Sequence, residues 1–510
     1  MITKREATII EKERIYRARV NRTKADGFEK RFYNPDDREL SKEEKQEFSN
    51  FWSKYLFMYN PDIRTCKICT NRSGNFDVRY IPFGLIRGPI REVLDKTDYA
   101  TVLCDKNYFD KLVTEFKQPK TIIRRIGGFY SNSEYELLTE NNAVNAVCAY
   151  LKKHPECVIK PTLYGKTSKG KGVEFFNTSH SNADIRSKLR FSNDFIIQEV
   201  IQQHKVFADI NPSAVLTIRV TSLAYKNEIH IMASTLRMGG DARVDNFSQG
   251  GLICKIDKDG KCGDFAYDLS GKLYETHPNG SKFSGVQIPR YNEVIEKIKK
   301  THAVIPQLWC IGWDITINSQ GEPIFFEYNP RPGFRVHQLL GVPIFGDLTE
   351  EILDHVLDKY YIDRSNKDYD YYEFHDHIRI TGYAGGKGKI IIPSEIDGKS
   401  VTEVGYKAFH KNSTVENITL PKSIRKVGLF AFSGCSNLKS LCLPNELKRI
   451  PKKMCVGSKS LERVTIPDSV SKISLSAFEG IDNVVFDCSK TSYAAEFAKA
   501  NGIKLLIASQ

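Results

Sequence analysis

No apolar run in this 510-residue chain approaches the roughly 20 residues that a membrane-spanning helix requires. The start, Met1-Ile-Thr-Lys-Arg-Glu6, carries too much charge for a secretory signal. A soluble globular protein is therefore expected, with the cytoplasm as its location. The twelve cysteines are scattered singly, which fits a reducing cytosol better than a disulfide framework. Cys66 and Cys69 form the one close pair, and no second pair accompanies it, so incidental thiols rather than zinc are expected there. No obvious Ser/His/Asp or Cys/His nucleophile constellation is present. No recognised nucleic-acid module accompanies the basic charge.

What is present is a chain with 41% hydrophobic and 27% charged residues, long enough for more than one domain. Its net charge of +13 implies affinity for anions. Nucleotide phosphates, an acidic glycan, anionic lipid and nucleic acid would each satisfy that charge, which does not choose among them.

Residues 1–60 read as a basic helical extension. The first 31 hold ten Lys or Arg against five acidic residues, with Ile9, Ile10, Ile15, Tyr16 and Val20 as a docking stripe. An arm or helical subdomain packed on the rest of the chain is favoured over a membrane-surface helix, so peripheral membrane contact is not expected. Residues 61–154 form an N-terminal α/β part. Strands are expected at 99–104 and 121–124, and helices at 105–116 and at 133–153, the latter capped by Ser133 with Glu136 three residues on. Residues 155–360 turn to strands with Gly-bearing turns, closed by a helix at 347–359. A polar, Tyr/Asp-rich linker occupies 361–377.

Residues 378–510 carry a 23-residue repeat. Val427, Ile450 and Ile473 match, as do Phe432, Cys455 and Phe478, and Leu420, Leu443 and Ile466 before prolines. Such a period marks a solenoid whose coils bury their apolar residues only by stacking. Residues 493–500 read as a capping helix.

The chemistry gathers in the middle region. Runs 311–317 and 324–328 fit two strands of a hairpin, with 318–323 as the turn. Folded so, Asp314, Glu327 and Asn329 converge, and Glu327 and Asn329 share one face. Two carboxylates and an amide oxygen suit Mg²⁺; an ordinary polar hairpin is the alternative. Lys160 ends a strand beside the loop Gly165-Lys-Thr-Ser-Lys-Gly-Lys-Gly172, which contains Lys166 and Gly170. Its spacing fits neither the Walker motif nor the dinucleotide fingerprint. A strand–loop–strand clamp on phosphates and a solvated Lys/Gly loop both fit. Strand 195–199 and the polar residues after it offer the backbone around Gln198, Glu199 and Val200 to an adenine, with Gln203 or His204 near the ribose. Arg219, flanked by Ile218 and Val220, faces either a cleft or solvent. Arg237, Arg243, Asp245, Asn246, Gly250 and Gly251 make a polar, glycine-dense platform suited to an anionic substrate. Arg331 and Arg335 enter the same region, and Arg331 either positions a substrate carboxylate or caps the hairpin.

Ile159-Lys-Pro161, Ile197-Gln-Glu-Val-Ile-Gln-Gln-His204, Asn211-Pro-Ser213 with Thr217-Ile-Arg-Val220, Gly312-Trp-Asp314 and Glu327-Tyr-Asn-Pro330 together resemble the ATP-grasp superfamily, over roughly residues 50–355. Within it they resemble the sugar-transfer associated branch, and the tail is similar to BspA-type leucine-rich repeats. The resemblance implies an α+β protein: an ATP-grasp fold with a helical N-terminal extension, then a short β-rich solenoid. By that resemblance Lys160 contacts ATP phosphates, the 165–172 loop closes on them and the 198–201 backbone holds adenine. Asp314, Glu327 and Asn329 then bind two Mg²⁺, and Arg219 faces the reacting phosphoryl and acyl groups. The Lys-heavy loop departs from the Gly-Ser-Gly-type loops of relatives.

The implied activity is an ATP-dependent carboxylate–amine ligase working through an acyl phosphate. Its expected substrates are an amino acid with a sugar acid, an aminosugar or a peptide, glycan-linked in polysaccharide biosynthesis or free in natural-product biosynthesis. A kinase on the same fold and a non-catalytic nucleotide-binding or interaction protein are the alternatives. A protein or glycan partner is expected on the repeats, and nucleic acid is disfavoured.

Overall fold

The computed structural model describes residues 32, 34–59, 61–95, 102–162, 173–191, 193–239, 251–268 and 271–507. They divide into two units, Met1–Asp354 and His355–Gln510.

Two antiparallel sheets organise the first unit. The smaller has six strands: β1 (Thr121–Ile126), β2 (Phe129–Ser131), β3 (Leu137–Leu138), β4 (Glu156–Pro161), β5 (Glu174–Asn177) and β6 (Phe195–Glu199). They run in the order β3-β2-β1-β6-β4-β5. Strand alternation sorts their side chains. Cys157, Ile159, Phe195 and Ile197 pack with Val144, Val147, Ile185 and Leu189 of the helices Glu140–Leu151 and Asn182–Phe191. The intervening Lys160 and Gln198 therefore lie on the opposite face.

The larger sheet has seven strands: β7 (Thr217–Tyr225), β8 (Glu228–Met238), β9 (Leu252–Ile256), β10 (Cys262–Tyr267), β11 (Leu273–Tyr274), β12 (Cys310–Ile317) and β13 (Pro323–Asn329). Their order is β11-β10-β9-β8-β7-β12-β13. Ile218, Val220, Ile311, Trp313 and Ile315 form a core with Val294 and Ile298 of the helix Tyr291–Val304. Arg219 and Asp314 fall on the other face by the same alternation. Beneath the sheet, Trp313 Nε1 donates to Ser222 Oγ at 2.7 Å, Ser222 bonds His302 Nδ1 at 2.7 Å, and His302 Nε2 meets the Leu308 carbonyl at 2.7 Å. Burial pushes His302 down to about 4, so the imidazole is neutral and its Nε2 carries the proton.

Three local expectations are corrected. Of the strand expected at 99–104, the described part is helical at 102–103 and a turn at 104, with Val102 73% exposed. The helix expected at 133–153 starts only at Glu140, where the Thr139 side chain accepts from Asn142 N. Residues 132–138 instead form a turn and β3, because the Asn132 side chain holds the backbone N–H groups of Glu134 and Glu136. The helix expected at 105–116 reduces to a 3₁₀ turn, Lys106–Tyr108, and one α turn, Phe109–Leu112. In the N-terminal region, Lys42–Ser53 is a helix with a Ser41/Glu44 capping box. The basic docking stripe lies outside the described residues.

In the second unit, the stretch expected as a linker is a β-hairpin, Ile362–Ser365 with Tyr369–Glu373. Tyr369 and Tyr371 are buried in the solenoid core, which gives the polar stretch its reason to fold. Strands Lys389–Ile391, Asn417–Thr419, Ser440–Cys442, Arg463–Thr465, Val485–Cys488 and Lys504–Ile507 then stack in parallel. Asn417, Ser440 and Arg463 are register partners 23 residues apart. Leu420, Leu443 and Ile466 are buried, as are Val427, Ile450 and Ile473, and Phe432, Cys455 and Phe478. The helix Tyr493–Ala500 lies within the last coil and is followed by one further strand of the sheet.

Candidate active site

Register brings the charged residues into one row. Arg219 on β7 pairs with Asp314 on β12, which pairs with Glu327 on β13. Arg219 Nε and Nη2 donate to the two Asp314 carboxylate oxygens at 2.6 and 2.7 Å, a forked and mostly buried pair. Arg237 on β8 reaches Asp314 at 3.4 Å, and Asn329 Nδ2 at 3.5 Å. Gly312, the partner of Asn329, makes this possible. A Cβ there would lie 3.0 Å from Pro332 Cβ and 3.3 Å from Arg219 Cδ.

A β-bulge between Asp314 and Ile315 sets the row, since Ile315 pairs with Phe325 and Asp314 with Glu327. The extra residue is Phe326, and the bulge re-aims it. Lys160 Nζ lies 5.1 Å from the Phe326 ring centre and 3.4 Å from Gln198 Oε1. The two sheets therefore face each other here. Lys106, which the sequence reading missed, bonds Glu327 Oε2 at 2.5 Å.

The electrostatics follow from this crowding. Burial pushes the Lys160 ammonium down to about 8, neighbouring Lys106 adds to the shift, and Glu327 opposes it. Burial alone would raise the Glu327 carboxyl. Lys106, Arg219 and Lys160 outweigh it and hold the group below the usual carboxylate range. The site is a carboxylate pair inside a cationic ring, suited to a polyanion held around a cation.

The donor set fits Mg²⁺ in kind, being oxygen only, with Glu327 about one-third exposed. Asp314 spends lone pairs on Arg219, yet an ionised carboxylate offers about four such sites. Among the described residues no group of three or more His, Cys, Asp or Glu is placed to hold a metal.

The adenine expectation narrows. Gln198 pairs within the sheet on both sides, and Glu199 N donates to the Lys120 carbonyl at 3.0 Å. The ladder thus takes up Gln198, and the Glu199 N–H is spent on Lys120. Val200 and Ile201 lie beyond β6 and make no backbone hydrogen bond to the described residues, leaving them as the free segment. A cavity of about 280 Å³ adjoins it, lined by Tyr150, Glu199, Val200, Ile201 and Asn318 among others. Lys160, Asp314 and Glu327 do not line that cavity.

Other expected residues have local duties. His204 Nδ1 accepts from Val206 N, capping the helix Lys205–Ile210. The Gln203 amide bonds the backbone at Asn211, Ala214 and Leu216. Arg331 Nε donates to Asp95 at 2.7 Å. Arg335 opens the helix Arg335–Leu339, and Gly251 immediately precedes β9. Gly165, Lys166, Gly170, Gly172, Arg243, Asp245, Asn246 and Gly250 lie outside the described residues. Cys66 and Cys69 are free, buried thiols, both pushed up by burial. Among the described residues, no helix is long and apolar enough to cross a membrane.

Lys106 sits in the turn Asp105-Lys106-Asn107, which sequence patterning absorbs into a helix. Phe326 owes its place to a bulge that a strand pattern does not announce. Neither left a signal that spacing alone would find.

No curated protein matches the sequence. Among solved structures, a leucine-rich repeat protein of T. pallidum is 27% identical over 25% of this chain and 71% of its own, at a TM-score of 0.22. The ATP-grasp ligase PsnB, solved with a minimal precursor, is 12% identical over 61% and 75%, at 0.30. The VanG D-Ala:D-Ser ligase of Enterococcus faecalis is 17% identical over 50% and 60%, at 0.30, so this chain spans less than two-thirds of that ligase. At these TM-scores they carry nothing about activity. Family models are more direct: the BspA type leucine rich repeat region matches residues 389–485 in six copies. The model for sugar-transfer associated ATP-grasp matches residues 92–350, just over half of the chain and the whole of the charged row described above. The chain thus belongs to the sugar-transfer associated ATP-grasp family, with a leucine-rich repeat domain behind the catalytic fold.

Proposed function

We propose that the protein is an ATP-dependent ligase that joins a carboxylate to an amine through an acyl phosphate. The observation that supports this reading best is the register-aligned row Arg219–Asp314–Glu327 facing Lys160 of the opposite sheet and Lys106 of the turn Lys106–Tyr108. Lys160 and Lys106 hold the triphosphate, and the adenine lies against Val200 and Ile201. The 165–172 loop, with Gly165, Lys166, Gly170 and Gly172, closes over the phosphates.

Asp314, Glu327 and Asn329 would hold Mg²⁺, which when bound neutralises phosphate charge and lowers repulsion toward an incoming carboxylate. Arg219, fixed by its fork to Asp314, presents its guanidinium to the charge that develops on the transferring phosphoryl group. The substrate carboxylate attacks the γ-phosphorus, ADP leaves, and the amine then displaces phosphate from the acyl carbon. Arg237, Arg243 and Arg331 orient the acid, with Asp245, Asn246, Gly250, Gly251 and Arg335 shaping its platform. The family's name favours a glycan-linked acid or amine in polysaccharide biosynthesis.

The test is ADP release from the purified protein with pooled carboxylates and amines, followed by mass analysis. A product lighter than its summed substrates by one water is expected. A phosphorylated product that persists without any amine would assign a kinase instead, and no ADP release under any pool would reject both.

A further inference from the structure

The solenoid has one face whose charge the ligase reading leaves unused. In four successive coils the chain passes through residues 401–407, 424–430, 447–453 and 470–476 at equivalent positions. These windows hold eight Lys or Arg and a single acid, Glu403. All eight cations are exposed. Parallel pairing stacks them, Lys426 beside Glu403 and Lys472 beside Arg449. Lys426 reaches Glu403 at 3.6 Å. Among the described residues, Arg425, Lys448, Arg449, Lys452, Lys453 and Lys472 have no carboxylate within ion-pair distance. Lys472 beside Arg449 sets like charges on neighbouring strands, which opposes folding, so that pair contributes nothing to the coil itself.

The corner beside these strands is strained in a repeating way. Lys407, Phe430 and Lys453 take φ of 58°, 58° and 55°. Glycine would occupy that left-handed position without steric cost. Three coils instead keep a long or aromatic side chain there, which points from strain to use. The Lys407 ammonium lies 5.1 Å from the Tyr406 ring centre and 6.0 Å from that of Phe430, and Lys453 lies 5.9 Å from Phe430. Tyr406 is 59% exposed. The result is a ridge of cations interleaved with the exposed Tyr406 ring and the half-buried Phe430 ring.

We propose that this ridge binds an acidic polysaccharide, its sugar carboxylates meeting the cations and its apolar sugar faces lying on Tyr406 and Phe430. The paired strands, 403–404 with 426–427 and 449–450 with 472–473, lie about 4.8 Å apart, close to the length of one pyranose along an extended glycan, whereas an extended peptide advances about 3.4 Å per residue. A chain of acidic sugars can thus offer one carboxylate per coil, and Arg425 and Arg449 can engage carboxylates by forked bonds. None of these residues belongs to the proposed catalytic machinery.

The test measures binding of the full-length protein to polygalacturonate, neutral dextran, poly-glutamate, poly(dT) and phosphatidylglycerol vesicles. Polygalacturonate is expected to bind best and to weaken as salt rises. Pairing Arg449→Ala with Lys453→Ala should weaken that binding at least about tenfold, which equals 1.4 kcal/mol. Pairing Tyr406→Ala with Phe430→Ala should weaken it as well, with wild-type melting temperature and wild-type ADP release in both variants. Unchanged binding in the Arg449/Lys453 variant would overturn the proposal. So would any other probe binding as tightly as polygalacturonate, with poly-glutamate pointing to an acidic protein, and poly(dT) or vesicles to nucleic acid or membrane. Loss of ADP release with glycan binding intact would strike only the ligase reading.

Discussion

In the unit Met1–Asp354, Arg124, Asp314, His302 and His337 are at most 5% exposed. From residue 355 onward, the buried polar side chains among the described residues are Ser433, Ser458 and Ser492, and none is charged. The solenoid core is apolar column upon apolar column, so each coil supports the next and charge is kept outside. The two-sheet unit buries ionisable groups that must be matched one by one. His302 is matched by hydrogen bonds, and Asp314 by an arginine fork. Burying a charge is costly unless paired, so a unit that buries several is organised around what they do.

Asp314→Ala should sharpen this contrast most. It leaves Arg219 half-matched in a mostly buried setting, so a loss of about 3–5 kcal/mol is expected in denaturant titration. ADP release should fall by at least roughly 10²–10³-fold as Arg219 loses its aim. In the solenoid the corresponding blow is to packing alone. Phe432→Ala should cost about 3–5 kcal/mol in the same titration while leaving ADP release per folded molecule unchanged. Equal loss of activity in both variants would break the division between the units.

Glu327→Gln keeps the shape and removes the charge. Turnover should drop roughly 10²-fold or more, and the melting temperature should fall at neutral pH because Lys106 loses its ion pair. Full activity in that variant would sink the metal assignment. A subtler effect concerns pH. The Lys160 ammonium, normally at 10.5, sits near 8, so it is charged at neutrality and loses its proton as pH rises through about 8. The value of kcat/KM for ATP should therefore decline above about pH 8, since that ratio reports the free enzyme. Lys160→Arg should remove this limb. The same shift means the folded state holds this proton less tightly than the unfolded chain, so between about pH 8 and 10.5 the Lys160 contribution to stability improves with pH. The smallest expected effect tests a helix boundary: Thr139→Ala should cost about 1 kcal/mol and Ser133→Ala almost nothing, measured by chemical denaturation.

Repetition made the solenoid legible. Three matched columns, 23 residues apart, became three buried columns. The hairpin was legible as well, because alternation and a polar turn identify two strands without tertiary information. What sequence patterning missed was set by tertiary or irregular features. Residues 361–377 look polar, yet Tyr369 and Tyr371 find an apolar core that the segment does not itself contain. Ser133 has the right neighbours for a cap, but Asn132 captures the same backbone in a turn. Lys106 acquires its meaning only when Glu327, far along the chain, folds onto it.

The single extra residue at Phe326 works like a frameshift written into the strand. With Ile315 fixed opposite Phe325, an unbroken ladder would set Phe326 against Asp314 and slide Glu327 into the row of Trp313, on the side packed by the helix Tyr291–Val304. One residue thus decides whether that carboxylate meets lysines or hydrocarbon. Without Phe326, Glu327 would keep the Asp314 row with no bulge, losing only the ring beside Lys160, whereas one residue more at that point would turn the acid inward and empty the site of half its negative charge.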